Sequence, residues 1–110
     1  MAQGNQSELC NGIVVVQVDQ EECSAIWAVI EEDVVAGHNR VVLDFSDVTY
    51  LNSMNIAGII TLRNKIEQQG GRLILAELRD QIIAIFRILK LERIFDLNLD
   101  RSTAVERVGA

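Results

Sequence analysis

The sequence predicts one α/β domain: a mixed sheet of about four to five strands, mostly with parallel neighbours, packed against helices. Three observations predict it. Short apolar, largely β-branched runs at 13–18, 41–45 and 73–78 alternate with longer stretches at helical period. Glycine falls where the helices should stop, at Gly37 and at Gly70-Gly71. The 110 residues carry no internal repeat, low-complexity tract or linker, and suit one modest core. We place an N-terminal segment at 1–9 and the domain at 10–108.

In chain order, residues 1–8 are polar and expected to fray, with weak support for a short edge strand at 8–10. Residues 13–18 form the first buried strand. A helix is expected over 19–36, with Cys23, Ile26, Trp27, Ile30 and Val34 on one stripe. Its late acids Glu31, Glu32 and Asp33 oppose the negative C-terminal end of the helix dipole. The second strand is 41–45, followed by a turn at Ser46-Asp47 and a short mixed segment at 48–51. Asn52 or Ser53 then caps a helix over 54–69, with Ile56, Ile59, Ile60, Ile66 and the Arg63 stem inward and Leu62 flanking. The third strand is 73–78. Asp80 caps a helix over 80–90 with Ile82, Ile85, Phe86 and Leu89 facing in. Ile83 and Ile88 lie off that stripe, so this helix is apolar over more than half its girth and calls for a cover or a partner. A short last strand is expected within 94–99, and Ser102 or Thr103 caps a final helical turn through Val108.

The net charge of −6 argues against nucleic acid and against anionic membrane surfaces. No apolar run approaches the roughly 18–20 residues of a membrane span. The N-terminus lacks the basic and apolar regions of a signal peptide, so a cytoplasmic location is expected. Cys10 and Cys23 have no neighbours at metal spacing and read as reduced thiols, and the single His38 sits in a loop. No metal or cofactor is expected.

No phosphate-binding glycine loop and no serine–histidine–acid set is present, so the residues do not describe an enzyme. Asp44 and Asp47 near a strand end could hold Mg²⁺, but no phosphate loop accompanies them. A phosphoaspartate receiver with Asp44 as acceptor would need a lysine after the third strand, and none follows. Ser53 is the stronger candidate. A hydroxyl at a helix N-terminus caps the helix, and the same orphan N–H groups and positive helix end would hold a phosphate. Phosphorylation adds about −1.5 to −2 charges, enough to repel an acidic partner or spoil an apolar contact.

The run Val41-Val-Leu-Asp-Phe-Ser-Asp-Val-Thr-Tyr-Leu-Asn-Ser-Met-Asn-Ile-Ala-Gly-Ile-Ile resembles the STAS domain, shared by sulfate transporters and bacterial anti-sigma-factor antagonists. The family pattern is an apolar strand ending in Asp, a polar link, then Asp-Ser-x-Gly opening a helix. Gly70-Gly-Arg-Leu-Ile-Leu and Ile88-Leu-Lys-Leu-Glu-Arg-Ile-Phe continue the resemblance over about residues 10–108. The resemblance implies a stand-alone, non-enzymatic regulator. Such antagonists bind an anti-sigma factor of serine-kinase, histidine-kinase-like ATPase fold and are released when a serine is phosphorylated. A phosphatase resets them. It implies Ser53 as phosphoacceptor, and Asp44, Ser46, Asn52, Ser53, Met54, Asn55 and Ile56 as the partner-binding set. Three residues depart from the pattern: Asn52 replaces the usual Asp, Asn55 the usual Gly, and Lys90 the Gly of the third motif. These departures, with the broad apolar helix 80–90, favour as the alternative an unswitched scaffold capable of self-association.

Overall fold

The structure is a computed structural model that describes residues 4–109. Residues 1–3 of the polar N-terminal segment lie outside the described residues. Four strands form one sheet in the order β1 (Gln6–Cys10), β2 (Ile13–Gln17), β3 (Arg40–Asp44), β4 (Arg72–Ala76). β1 runs antiparallel to β2, while β2–β3 and β3–β4 are parallel. Helices α1 (Ile26–Val35) and α2 (Ser53–Gln68) are the crossovers between parallel strands, α3 (Asp80–Ile88) follows β4, and α4 (Arg101–Gly109) ends the chain.

The apolar strands are explained by cover on both faces. Val14, Val16, Val41, Leu43, Leu73 and Leu75 point into a core shared with α1, α2 and α3. Alternate residues Ile13, Val15, Val42, Ile74 and Ala76 point to the other face, where Ala104 and Val108 of α4 cover them. A single helix thus closes the second face over β2, β3 and β4, while β1 stays exposed.

Several local signals behave as expected. α2 ends in a Schellman motif: the N–H of Gly70 donates to Glu67 O at 2.9 Å and that of Gly71 to Ile66 O at 2.9 Å. Gly70 is left-handed at φ 78°, and a Cβ on Gly71 would strike the backbone of Asn39. α1 ends the same way at Gly37. Trp27 is half-buried on α1 with the Lys65 ammonium 5.0 Å from its ring centre, a packing role.

Other expectations are corrected. The edge strand starts at Gln6, inside the segment expected to fray, because Asn11 (φ 53°) and Gly12 (φ 82°) form a two-residue hairpin turn of primed type. The helix expected over 19–36 begins only at Ile26. Asp19 instead caps a separate 3₁₀ turn at Gln20–Glu22, accepting from the N–H of Glu21 at 2.8 Å. On α2, Leu62 is buried rather than flanking, and Ile60 is half-buried. On α3 the buried residues are Ile82, Ile83 and Phe86, whereas Ile85 is half-buried and Leu89 is exposed. Leu89 lies past the helix end, and the inward face turns toward Ile83. No strand forms in 94–99. Phe95 and Leu97 insert into the three-helix core while Leu99 packs under α4, so this segment carries the chain from one face of the sheet to the other. Asp80 opens α3 without a side-chain cap, since Arg79 is the capping residue and makes no such bond.

α4 is a full nine-residue helix rather than a last turn, and its cap is Asp100, ahead of Ser102 and Thr103. The Asp100 carboxylate accepts from the Thr103 N–H at 2.8 Å and the Ser102 hydroxyl at 3.2 Å. The Thr103 backbone hydrogen bond chiefly holds its pKa below the usual 3.8. A depressed acid stabilises above its unfolded pKa, so this cap is intact at neutral pH and is lost as pH falls.

Two tests follow from these geometries. Lys90 is left-handed at φ 60°, so Lys90→Gly is expected to raise unfolding stability by about 1 kcal/mol in urea titrations. Burial, aided by the Asp19 and Glu21 charges, pushes the Cys23 thiol up to about 11, while Cys10 is exposed. At about pH 8 an alkylating reagent should label the native protein once, at Cys10, and reach Cys23 only on unfolding. Fast labelling of a Cys10→Ser variant would contradict that burial.

Candidate functional site

The candidate site is built at the C-terminal end of the parallel strands, where open α/β sheets place their loops. β3 delivers Asp44, which is 3% exposed and the sole buried charged residue among the described residues. Its Oδ1 accepts from the Ser46 N–H at 2.8 Å, turning the chain out of the sheet. Its Oδ2 accepts from Arg101 Nη1 at 3.1 Å. Phe45, Val48 and Leu51 then anchor the 45–51 segment in the core, leaving Asp47, Thr49 and Tyr50 outside.

Side chains from neighbouring elements clamp this loop. Gln20 Oε1 accepts from the Thr49 N–H at 2.7 Å, and its Nε2 donates to Tyr50 O at 2.9 Å. Gln17 Nε2 donates to Ser46 Oγ and Asp47 Oδ2, both at 3.1 Å. From the far side, Arg79 Nη2 donates to Ser46 O at 2.7 Å and Gln81 Nε2 to Thr49 O at 3.1 Å. The loop is therefore held from the β2–α1 and β4–α3 connections together.

Asn52, not Ser53, caps α2. Asn52 Oδ1 accepts from the Asn55 N–H at 2.8 Å, and Asn55 Oδ1 accepts from the Asn52 N–H at 3.2 Å, a capping box built from two asparagines. The Asn55 that stands where the family pattern has Gly thus takes part in the cap. Ser53 is the first residue of the helix and is exposed, and its hydroxyl has no hydrogen bond among the described residues. The next residue, Met54, is 80% exposed, and Tyr50, three residues before Ser53, is 59% exposed. Of the other sequence-derived site residues, Ser46 is half-buried and clamped, Asn55 is half-buried, and Asp44 and Ile56 are buried beneath the surface they support.

Asp44 is buried and engaged by Arg101, which shields it from a phosphodonor, while Asp47 is exposed and accepts from Gln17 through one oxygen. Among the described residues no group of three His, Cys, Asp or Glu is arranged to hold a metal ion. An adjoining open cleft of about 460 Å³ runs from Ser46 to Asp100, lined also by Arg79 and Leu97. Sequence reasoning missed the clamp. Gln17 ends β2 and Gln20 follows it, so both were findable from position; Arg101, 57 residues from Asp44, carried no local signal.

The STAS domain model matches residues 11–104. The chain belongs to the STAS domain family. Within it, the chain is 26% identical over 87 residues to BtrV of Bordetella bronchiseptica, provisionally named an anti-sigma factor antagonist, covering 79% of this chain and 75% of that one. Among solved structures it is similar in fold to a Thermotoga maritima protein with the same provisional name (TM-score 0.82, 19% identity, 96% and 95% of the two chains). It is also similar to the anti-sigma factor antagonist SpoIIAA in its unphosphorylated form (TM-score 0.76, 19% identity, 96% of each chain). The phosphorylated form of Bacillus SpoIIAA matches at TM-score 0.69 with 19% identity, over 96% of this chain and 99% of that one. At these identities the structures establish the STAS fold. No helix is long and apolar enough to cross a membrane among the described residues.

Removing the acid under this STAS loop tests its support. Asp44→Ala takes the acceptor from the Ser46 N–H and the partner from Arg101, and is expected to cost about 2–3 kcal/mol. Asp44→Asn retains an acceptor and should cost less, both read by denaturant unfolding.

Proposed function

We propose that this protein is an anti-sigma-factor antagonist that works by partner switching. Unphosphorylated, it binds a serine-kinase-fold anti-sigma factor through the surface around Ser53, and the sigma factor is freed. Phosphorylation at Ser53 ends the complex, and a phosphatase restores it. The protein acts by binding, without catalysis of its own.

The observation that carries the reading is the unpaired, exposed Ser53 hydroxyl at the first turn of α2, followed by exposed Met54 and preceded by a clamped loop that exposes Tyr50. The cap satisfies the N–H groups of Asn52 and Asn55, and leaves those of Ser53 and Met54 for a phosphate. The same phosphate would place about two negative charges against Met54 and Tyr50, where an apolar contact would have to desolvate them. Binding and release would then use one patch. Asn52, Ser46 and Asn55 contribute polar contacts or hold the backbone, and Asp44 and Ile56 act from below.

A second reading is an unswitched STAS scaffold in a signalling complex. It is favoured by Asn52, which caps α2 without the negative charge of the family's usual Asp.

The two readings separate in one experiment with a kinase-fold anti-sigma factor. Ser53→Ala is expected to bind as the parent does, and Ser53→Asp at least roughly tenfold more weakly by calorimetry, a loss of about 1.4 kcal/mol. With ATP, intact-mass analysis should find one phosphate on the parent and none on Ser53→Ala. Equal binding by both variants, with no phosphate gained, selects the scaffold.

A further inference from the structure

A second surface lies away from Ser53. Arg79 and Gln81 tie the start of α3 to the 46–49 loop, and Phe86 then meets Phe95, whose ring lies 6.0 Å from Arg63, ten residues into α2. α3 therefore runs beside α2 away from the site, and its end forms a corner remote from Ser53. There Ile88 is 77%, Leu89 51% and Ile94 38% exposed, around the left-handed Lys90.

The cations at this corner are uncommitted. Of the chain's ten Lys and Arg residues, seven engage a carboxylate, a carbonyl or an aromatic ring. The three without an ion pair, side-chain hydrogen bond or ring contact among the described residues are Arg87, Lys90 and Arg93, and all three interleave with the exposed apolar residues. With Glu92 the only exposed acid among residues 87–94, this is a patch of net positive charge with apolar residues, on a chain of net charge −6.

The same molecule carries its complement. α1 crosses from the end of β2 to the start of β3, so its last turns lie at the same end of the sheet as that corner. They present exposed Glu31 and Glu32, whose side chains also lack a partner among the described residues, together with Val35 at 65% exposure. Trp27 joins α1 to α2 through Lys65, and Phe95 joins the α3 side to α2 through Arg63, so the acidic and basic patches flank α2 on opposite sides. That arrangement suits a twofold axis. With the axis near the C-terminal end of α2, the basic corner of each copy meets the acidic end of α1 in the other, and both contacts form at once.

We propose that the Arg87–Ile94 corner is a docking surface for a second copy of this chain, reciprocally paired with the Glu31–Val35 end of α1. The dimer leaves Ser53 on the far end of each copy, and it stands or falls independently of any switching at that serine.

The test is sedimentation velocity on the full chain up to roughly millimolar concentration at low and high salt. A dimer is expected whose dissociation constant rises about tenfold or more with salt. Arg87→Glu/Arg93→Glu and Glu31→Lys/Glu32→Lys should each be monomeric. An equimolar mixture of the two should dimerise again, because the mixed dimer pairs the two reversed patches at one contact and the two native patches at the other. All these residues are exposed, and circular dichroism checks that the variants fold. A monomeric parent at every concentration overturns the proposal and leaves the corner for an acidic partner of another kind. A dimer whose charge-reversed variants still associate, or whose mixture is not restored, overturns the pairing.

Discussion

The structure depends on what is done with one buried carboxylate. Asp44 ends the central strand β3 with both oxygens used, one accepting from the Ser46 N–H and the other from Arg101. A carboxylate in an apolar core would be strongly unfavourable without such partners. Arg101 spreads the same guanidinium to Gln17 and Glu8, and its own N–H donates to Glu77. One ion-paired group thus ties α4, the edge strand and the end of β4 to the point where the candidate loop leaves the sheet.

This linkage gives the site its character. A loop that must present a docking surface loses affinity if it has to be ordered on binding. Here the ordering is done beforehand: core residues Phe45, Val48 and Leu51 hold it from within, and Gln17, Gln20, Arg79 and Gln81 hold its backbone and side chains from outside. The asparagine capping box fixes where α2 begins, which sets Ser53 at the first helical position and Met54 outward. The clamp grips the backbone and the Ser46, Asp47 and Thr49 side chains, and leaves the exposed side chains of Tyr50, Ser53 and Met54 without partners among the described residues.

Legibility followed the range of the interaction involved. The three parallel strands were readable because cover on both faces makes each nearly all apolar. The Gly70-Gly71 stop was readable because the Schellman motif is written within six residues. The β1 hairpin was also local: Asn11-Gly12 is a strong turn signal, overlooked because the strand before it is polar and exposed on both faces. The segment 94–99 looked like a strand because its apolar residues alternate, yet Phe95 and Leu97 serve one core and Leu99 the other. The alternation reflected a chain passing between two cores, with no strand to pair beside it.

By itself the sequence determined the α/β class, the order of the parallel strands' runs, the helix stops, the family and the position of Ser53 next to a helix start. Those features rest on periodicity, on caps and on motifs a few residues long. Only the tertiary structure decided that Asn52 and not Ser53 is the cap, that Asp44 is buried against Arg101, and that four side chains from two other connections immobilise the loop. It also decided that the three uncommitted cations gather at one apolar corner. The Asp44 and loop contacts join residues some 30 to 60 positions apart, and no local pattern encodes which distant side chain will be carried to them.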